Sequence, residues 1–104
     1  MAERYIDRSE RAPRPRHEIW QPLRRPRRVG RGQILRFQIP APFSLRWSLD
    51  DWETVREDRA HDTPLGFSIV DIPIPVDQDG PLRAAIHWTD TDEWTDEDEV
   101  VAVE

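Results

Sequence analysis

The chain has no cysteine and no lysine, and only four of its 104 residues are glycine. Without thiols it builds neither disulfides nor thiolate metal sites. The few glycines fall in turns rather than in a phosphate-cradling pattern. No apolar run approaches the ~20 residues that a membrane-spanning helix needs. The Arg- and Pro-rich start lacks the apolar stretch of a secretory signal. The expectation from these absences is a cytoplasmic protein of single-domain size, with no membrane association, no cofactor and no metal.

A catalytic constellation is missing too. His17, His61 and His87 lie far apart in sequence, each read as a surface or edge-strand histidine. Ser48, His87 and Asp50 assemble a nucleophile, base and orienter on paper, but no nucleophile elbow or oxyanion loop accompanies them. Carboxylates are so numerous, 21 in all, that no pair stands out as an acid/base couple. No residue is assigned a catalytic role.

What is present is a strong charge asymmetry. Residues 1–36 carry eleven Arg and four acids, a balance of +7; residues 37–104 carry four Arg and seventeen acids, a balance of −13. Halves of this kind attract each other, or leave the basic one to seek an outside anion. Residues 1–15 hold two large apolar side chains after the first Met, Tyr5 and Ile6. Ordering costs ~1–2 kcal/mol per residue in backbone entropy, so this stretch is expected to be a flexible basic arm. Residues 16–104 are expected to form the folded module.

From His17 onward the pattern reads as strands. His17 to Trp20 suits a short one, stopped by Pro22 and Pro26. Val29 to Gly32 reads as a turn. Gln33 to Ile39 alternates, with Leu35, Phe37 and Ile39 on one face. Phe43 to Leu49 alternates likewise, with Phe43, Leu45, Trp47 and Leu49 inward. Trp52 to Val55, Leu65 to Ile74, Leu82 to Trp88 and Val100 to Val103 complete the set. No stretch holds a 3.6-residue period over three turns. Short strands separated by Pro, Gly and Asp turns predict an all-β fold, a small antiparallel β-sandwich of immunoglobulin or fibronectin type. The expected core is Leu35, Phe37, Ile39, Phe43, Leu45, Trp47, Phe67, Ile69, Leu82, Ile86, Trp88 and Val101.

Five tryptophans are many for this length. Trp47 and Trp88 fall at inward strand positions. Trp52 and Trp94 share loops with acids, in Asp50-Asp51-Trp52-Glu53 and Asp92-Glu93-Trp94-Thr95. An indole can stack on a sugar ring while neighbouring carboxylates accept hydroxyl protons. Trp52, Trp94, Asp50, Asp51 and Asp92 are therefore the candidate carbohydrate-binding residues. The acid run from Asp90 to Glu99 starts like a calcium loop. Thr95 stands where that loop needs Gly, however, and Val101 where it needs Glu, so the run is read as a solvated hairpin loop.

Gly32 to Arg36, Pro40-Ala41-Pro42-Phe43, Trp47-Ser48-Leu49-Asp50-Asp51-Trp52, Ile86-His87-Trp88, Trp94 and Val101-Ala102-Val103-Glu104 occur in an order that resembles the C-terminal β-rich module of bacterial glucoamylase-type and glucodextranase-type glycoside hydrolases. The resemblance spans about residues 17–104. The (α/α) catalytic barrel of those enzymes has no counterpart here. The resemblance thus implies a non-catalytic accessory module, whose partner is an α-glucan oligosaccharide or a separate hydrolase catalytic domain. The alternative expectation is an interaction module whose Arg-rich segment, Arg14 to Arg31, docks an acidic surface or nucleic acid. Sequence-specific nucleic-acid reading is not expected, because Trp20 is the one aromatic there able to stack on bases.

Overall fold

The computed structural model describes residues 16–95 and 98–104, so the expected arm over residues 1–15 lies outside the described residues. Ten strands are found among the described residues, and no helix. They are β1 (His17–Trp20), β2 (Arg28–Val29), β3 (Ile34–Ile39), β4 (Phe43–Ser48), β5 (Arg56–Arg59), β6 (His61–Asp62), β7 (Ser68–Pro73), β8 (Leu82–Trp88), β9 (Glu93–Trp94) and β10 (Glu99–Val103). One sheet has the order β1-β3-β7-β6. The other has the order β2-β10-β8-β4-β5, with β9 also paired to β8.

The inner faces of the two sheets share one core. Leu35, Phe37 and Ile39 of β3 meet Phe43, Leu45 and Trp47 of β4 and Leu82, Ala84 and Ile86 of β8, all buried. The period-two alternation of these three strands places every second side chain inward. Trp47 also donates its indole N–H to Asp58 at 2.8 Å.

Four expectations are corrected. The sheets are mixed rather than purely antiparallel: β1 runs parallel to β3 and β2 parallel to β10. Between β1 and β3 the chain first turns at Gln21–Arg24, then crosses to the other sheet as β2, so β3 starts again in the direction of β1. Phe67 and Ile69 are half-buried, while Ser68, Val70, Ile72 and Ile74 point inward. Asp71 fixes that phase, because it pairs with Arg36 across the outer surface at 2.8 and 3.0 Å. Trp88 is half-buried at the margin of the core. Finally, the strand expected over Trp52 to Val55 falls instead on Arg56–Arg59, four charged and exposed residues.

Trp20 joins the core unexpectedly. It is 1% exposed and lies 5.0 Å from Phe37, ring centroid to centroid. Its strand sits directly beside β3.

Candidate functional site

The outer face of the larger sheet carries the side chains that alternate with the core. Ser44 and Arg46 come from β4, and Arg83, Ala85 and His87 from β8. Trp94 of β9 lies opposite His87, and Glu57 of β5 lies opposite Arg46.

At one end of this face the chain turns from β8 into β9, with Asp92 at φ +57°. A carboxylate only accepts, so the 2.7 Å contact from His87 Nε2 to Asp92 Oδ1 puts a proton on Nε2. The Trp94 indole stacks on the His87 ring at 4.5 Å between centroids and 24° between planes. The Arg46 guanidinium lies 4.7 Å from the Trp94 ring centre and is itself held by Glu57 at 3.3 Å. Trp94 remains 41% exposed. Beyond it, Thr95 continues the ladder, donating its N–H to the Ile86 carbonyl at 2.9 Å and accepting the Ile86 N–H on its hydroxyl at 3.2 Å.

At the other end, β4 leaves the sheet through a tight turn. Asp51 and Trp52 have φ +58° and +70°, and the Glu53 N–H donates to the Asp50 carbonyl at 3.3 Å, the arrangement of a type I′ turn. Left-handed backbone is costly for a residue as bulky as Trp. The neighbouring polar groups hold it there. The buried Ser48 hydroxyl accepts the N–H groups of Asp50 and Trp52 at 3.2 and 3.0 Å, and donates to Asp50 Oδ1 at 2.7 Å. That same carboxylate oxygen accepts the Thr54 N–H at 2.8 Å. The Thr54 N–H and then the Ser48 hydroxyl hold the Asp50 carboxyl below its ordinary value of 3.8. The Trp52 indole N–H donates to Asp98 at 2.8 Å, across the strands. Arg83 Nε lies 3.0 Å from Asp51 Oδ1, but its N–H points off that line, so the contact is an ion pair without a hydrogen bond.

The five candidate residues thus occupy the two ends of one sheet face. Arg83 and His87, beside the two indole-bearing loops, are four residues apart along β8, about 13 Å. Each of the three aspartates already has an intramolecular partner. The paper combination of Ser48, His87 and Asp50 is divided between the two ends: Ser48 lies opposite Arg83, whereas His87 lies opposite Ser44. The acid run is not wholly a loop, since Glu93–Trp94 and Glu99–Val103 are strands. No group of three or more His, Asp or Glu side chains is arranged to hold a metal among the described residues.

Arg46, His87 and Asp98 were not among the sequence candidates. The outward phase of Arg46 and His87 on their strands is a signal that could have found the first two. Asp98 reaches Trp52 only through the pairing of β10 with β8, which no local pattern announces.

Compared with family models, with curated proteins and with solved structures, the chain finds no match in any of the three.

Proposed function

We propose that the chain is a non-catalytic, immunoglobulin-like module that binds α-glucan on the outer face of its larger sheet, as an accessory to an α-glucan hydrolase. The strand order, β1-β3-β7-β6 against β2-β10-β8-β4-β5, supports the immunoglobulin-like reading. The observation that carries the binding reading is Trp94, packed against His87 and Arg46 yet 41% exposed. An indole immobilised in advance loses little entropy when a sugar ring stacks on it. Trp52 is the second platform, at the far end of the face. Asp50, Asp51 and Asp92 accept sugar hydroxyls on the carboxylate oxygens that their internal contacts leave over. The resemblance to hydrolase terminal modules directs the choice to α-glucan.

A neutral sugar gains nothing from long-range steering, so stacking and directed hydrogen bonds supply the affinity. Two platforms give binding near the millimolar range, about −4 kcal/mol. Titration with a maltooligosaccharide is expected to change tryptophan fluorescence, and Trp94→Ala is expected to remove the response from a folded protein. The response is expected to persist at high salt. An absence of any change at about 50 mM sugar, a concentration that would saturate a millimolar site, sinks the reading.

A further inference from the structure

Two edge strands of comparable length are protected very differently. β5 is charged and exposed at all four positions, a composition that discourages pairing with a foreign strand. β1 instead presents Ile19 outward, 41% exposed. Among the described residues no strand pairs with its far side, where the sheet order begins.

The ladder decides which groups are left over. The Ile34 N–H donates to the Arg16 carbonyl at 2.9 Å, and His17 is the residue opposite Ile34. Along one strand of a parallel pair, alternate residues direct their N–H and C=O to the same neighbour. Arg16, Glu18 and Trp20 therefore bond β3, and His17 and Ile19 turn their backbone groups away from the sheet. Beside them runs a groove of about 380 Å³ lined by Glu18, Ile19, Gln21, Arg24, Arg25 and Pro26.

The charge around this edge is positive. Arg25 is tied down by Glu99 at 3.2 Å and lies 5.2 Å from the Trp20 ring centre. Arg28 is tied to Glu104 at 3.1 Å. Arg16, Arg24 and Arg27 are exposed and make no ion pair among the described residues. One acid, Glu18, lines the groove beside Arg24 and Arg25.

We propose that the open edge of β1 docks an extended acidic segment of a partner protein. The segment adds as a further strand on the backbone groups of His17 and Ile19, and sets its carboxylates against Arg16, Arg24 and Arg27. Main-chain pairing supplies the grip, and the charges around the groove select the partner. This surface belongs to the smaller sheet and is independent of the sugar-binding reading.

The probe is the synthetic peptide acetyl-Glu-Val-Glu-Val-Glu-Val-Glu-amide, added to the full isotopically labelled chain and followed by amide NMR and hydrogen exchange. The His17 and Ile19 amides are expected to shift and to gain protection. Ile19→Pro deletes one outward N–H and no ladder bond, a substitution that an edge strand tolerates. It is expected to weaken binding at least about tenfold. Methylating the peptide's alternate backbone nitrogens tests the same bonds with the protein unchanged, and the same loss is expected. Arg24→Gln with Arg27→Gln is expected to weaken binding and flatten its salt dependence. Binding that survives both Ile19→Pro and peptide methylation would be charge attraction alone, as for any polyanion, and overturns the proposal. Amides of His17 and Ile19 already protected in the free chain would mean that its own N-terminal segment or a second copy holds the edge, which also overturns it. So does an absence of shifts at these two amides.

Discussion

The two ends of the larger sheet's outer face use the same ingredients, a tryptophan among aspartates, to opposite effect. At the Trp52 end the polar groups are turned on the chain itself. Ser48, Asp50 and Asp98 hold a bulky residue in left-handed backbone. At the Trp94 end the backbone of the indole lies in a regular ladder pair, and the polar groups lie against the ring instead. Trp52 is a platform fastened by the hydrogen bonds of its own turn. Trp94 is a platform whose position depends on stacking. Local composition does not separate the two; which partners surround the ring does.

The largest effect on stability is expected from Ser48→Ala. The hydroxyl is buried and serves two backbone donors and one carboxylate at once. Its removal leaves N–H groups of the turn without a partner and is expected to cost about 1–3 kcal/mol. Chemical denaturation measures this directly. The sugar response of Trp94 is expected to remain, because the two sites share no hydrogen bond. Loss of that response in a folded Ser48→Ala protein would erase the distinction between the two ends.

How much of this was legible in the sequence follows from where each signal resides. Leu35, Phe37 and Ile39, or Leu82 and Ile86, could be read because one face of the strand is dry and the other wet. Arg56–Arg59 could not be read as a strand, because both its faces meet water and leave no alternation in polarity. Ser68 to Ile74 carries apolar residues on both of its faces, so its phase was ambiguous until the pairing of Asp71 with Arg36 fixed it. Trp20 sits in a basic, Pro-rich segment, and its burial comes from pairing with β3, a contact remote in sequence. The candidate site was half legible in the same sense. Its tryptophans stand out by composition, while Arg46, His87 and Asp98, which hold the two indoles in different ways, enter through cross-strand neighbours.

A smaller effect tests the backbone of the Trp52 turn alone. Trp52→Ala and Trp52→Gly both delete the indole and its bond to Asp98. Only the alanine has to keep a Cβ at φ +70°. The glycine protein is therefore expected to be the more stable of the two by about 1 kcal/mol. Equal stabilities would mean that the turn relaxes once the ring is gone. Acid gives a further contrast. The Asp50 carboxyl is held below its ordinary value of 3.8, so its contribution is fully present above that value and is lost as pH falls through the lowered one. Asp71, lowered chiefly by its hydrogen bonds from Arg36, behaves in the same direction on the smaller sheet. The Trp52 backbone N–H, held by the Ser48 hydroxyl that donates to Asp50, is expected to shift its resonance in that acid range. No movement would detach the turn from Asp50.

The smallest stability change is expected at the platform. Trp94 and Arg46 meet at 4.7 Å on an exposed surface, and the Arg46–Glu57 pair is about half exposed on both sides. Contacts of these two kinds contribute about 0.5–1 kcal/mol each at most in water. Arg46→Met keeps the length of the stem and removes the charge. It is expected to lower stability by less than about 1 kcal/mol and to leave Trp52 untouched. What should change is the indole itself: without the guanidinium against it, Trp94 is expected to be quenched more readily by acrylamide and to bind maltooligosaccharide more weakly, because the ring would have to be ordered at the moment of binding. A stability loss above about 2 kcal/mol would instead make Arg46 and Trp94 a structural lock like Ser48 and Asp50. The two ends of the sheet would then differ in chemistry but not in role.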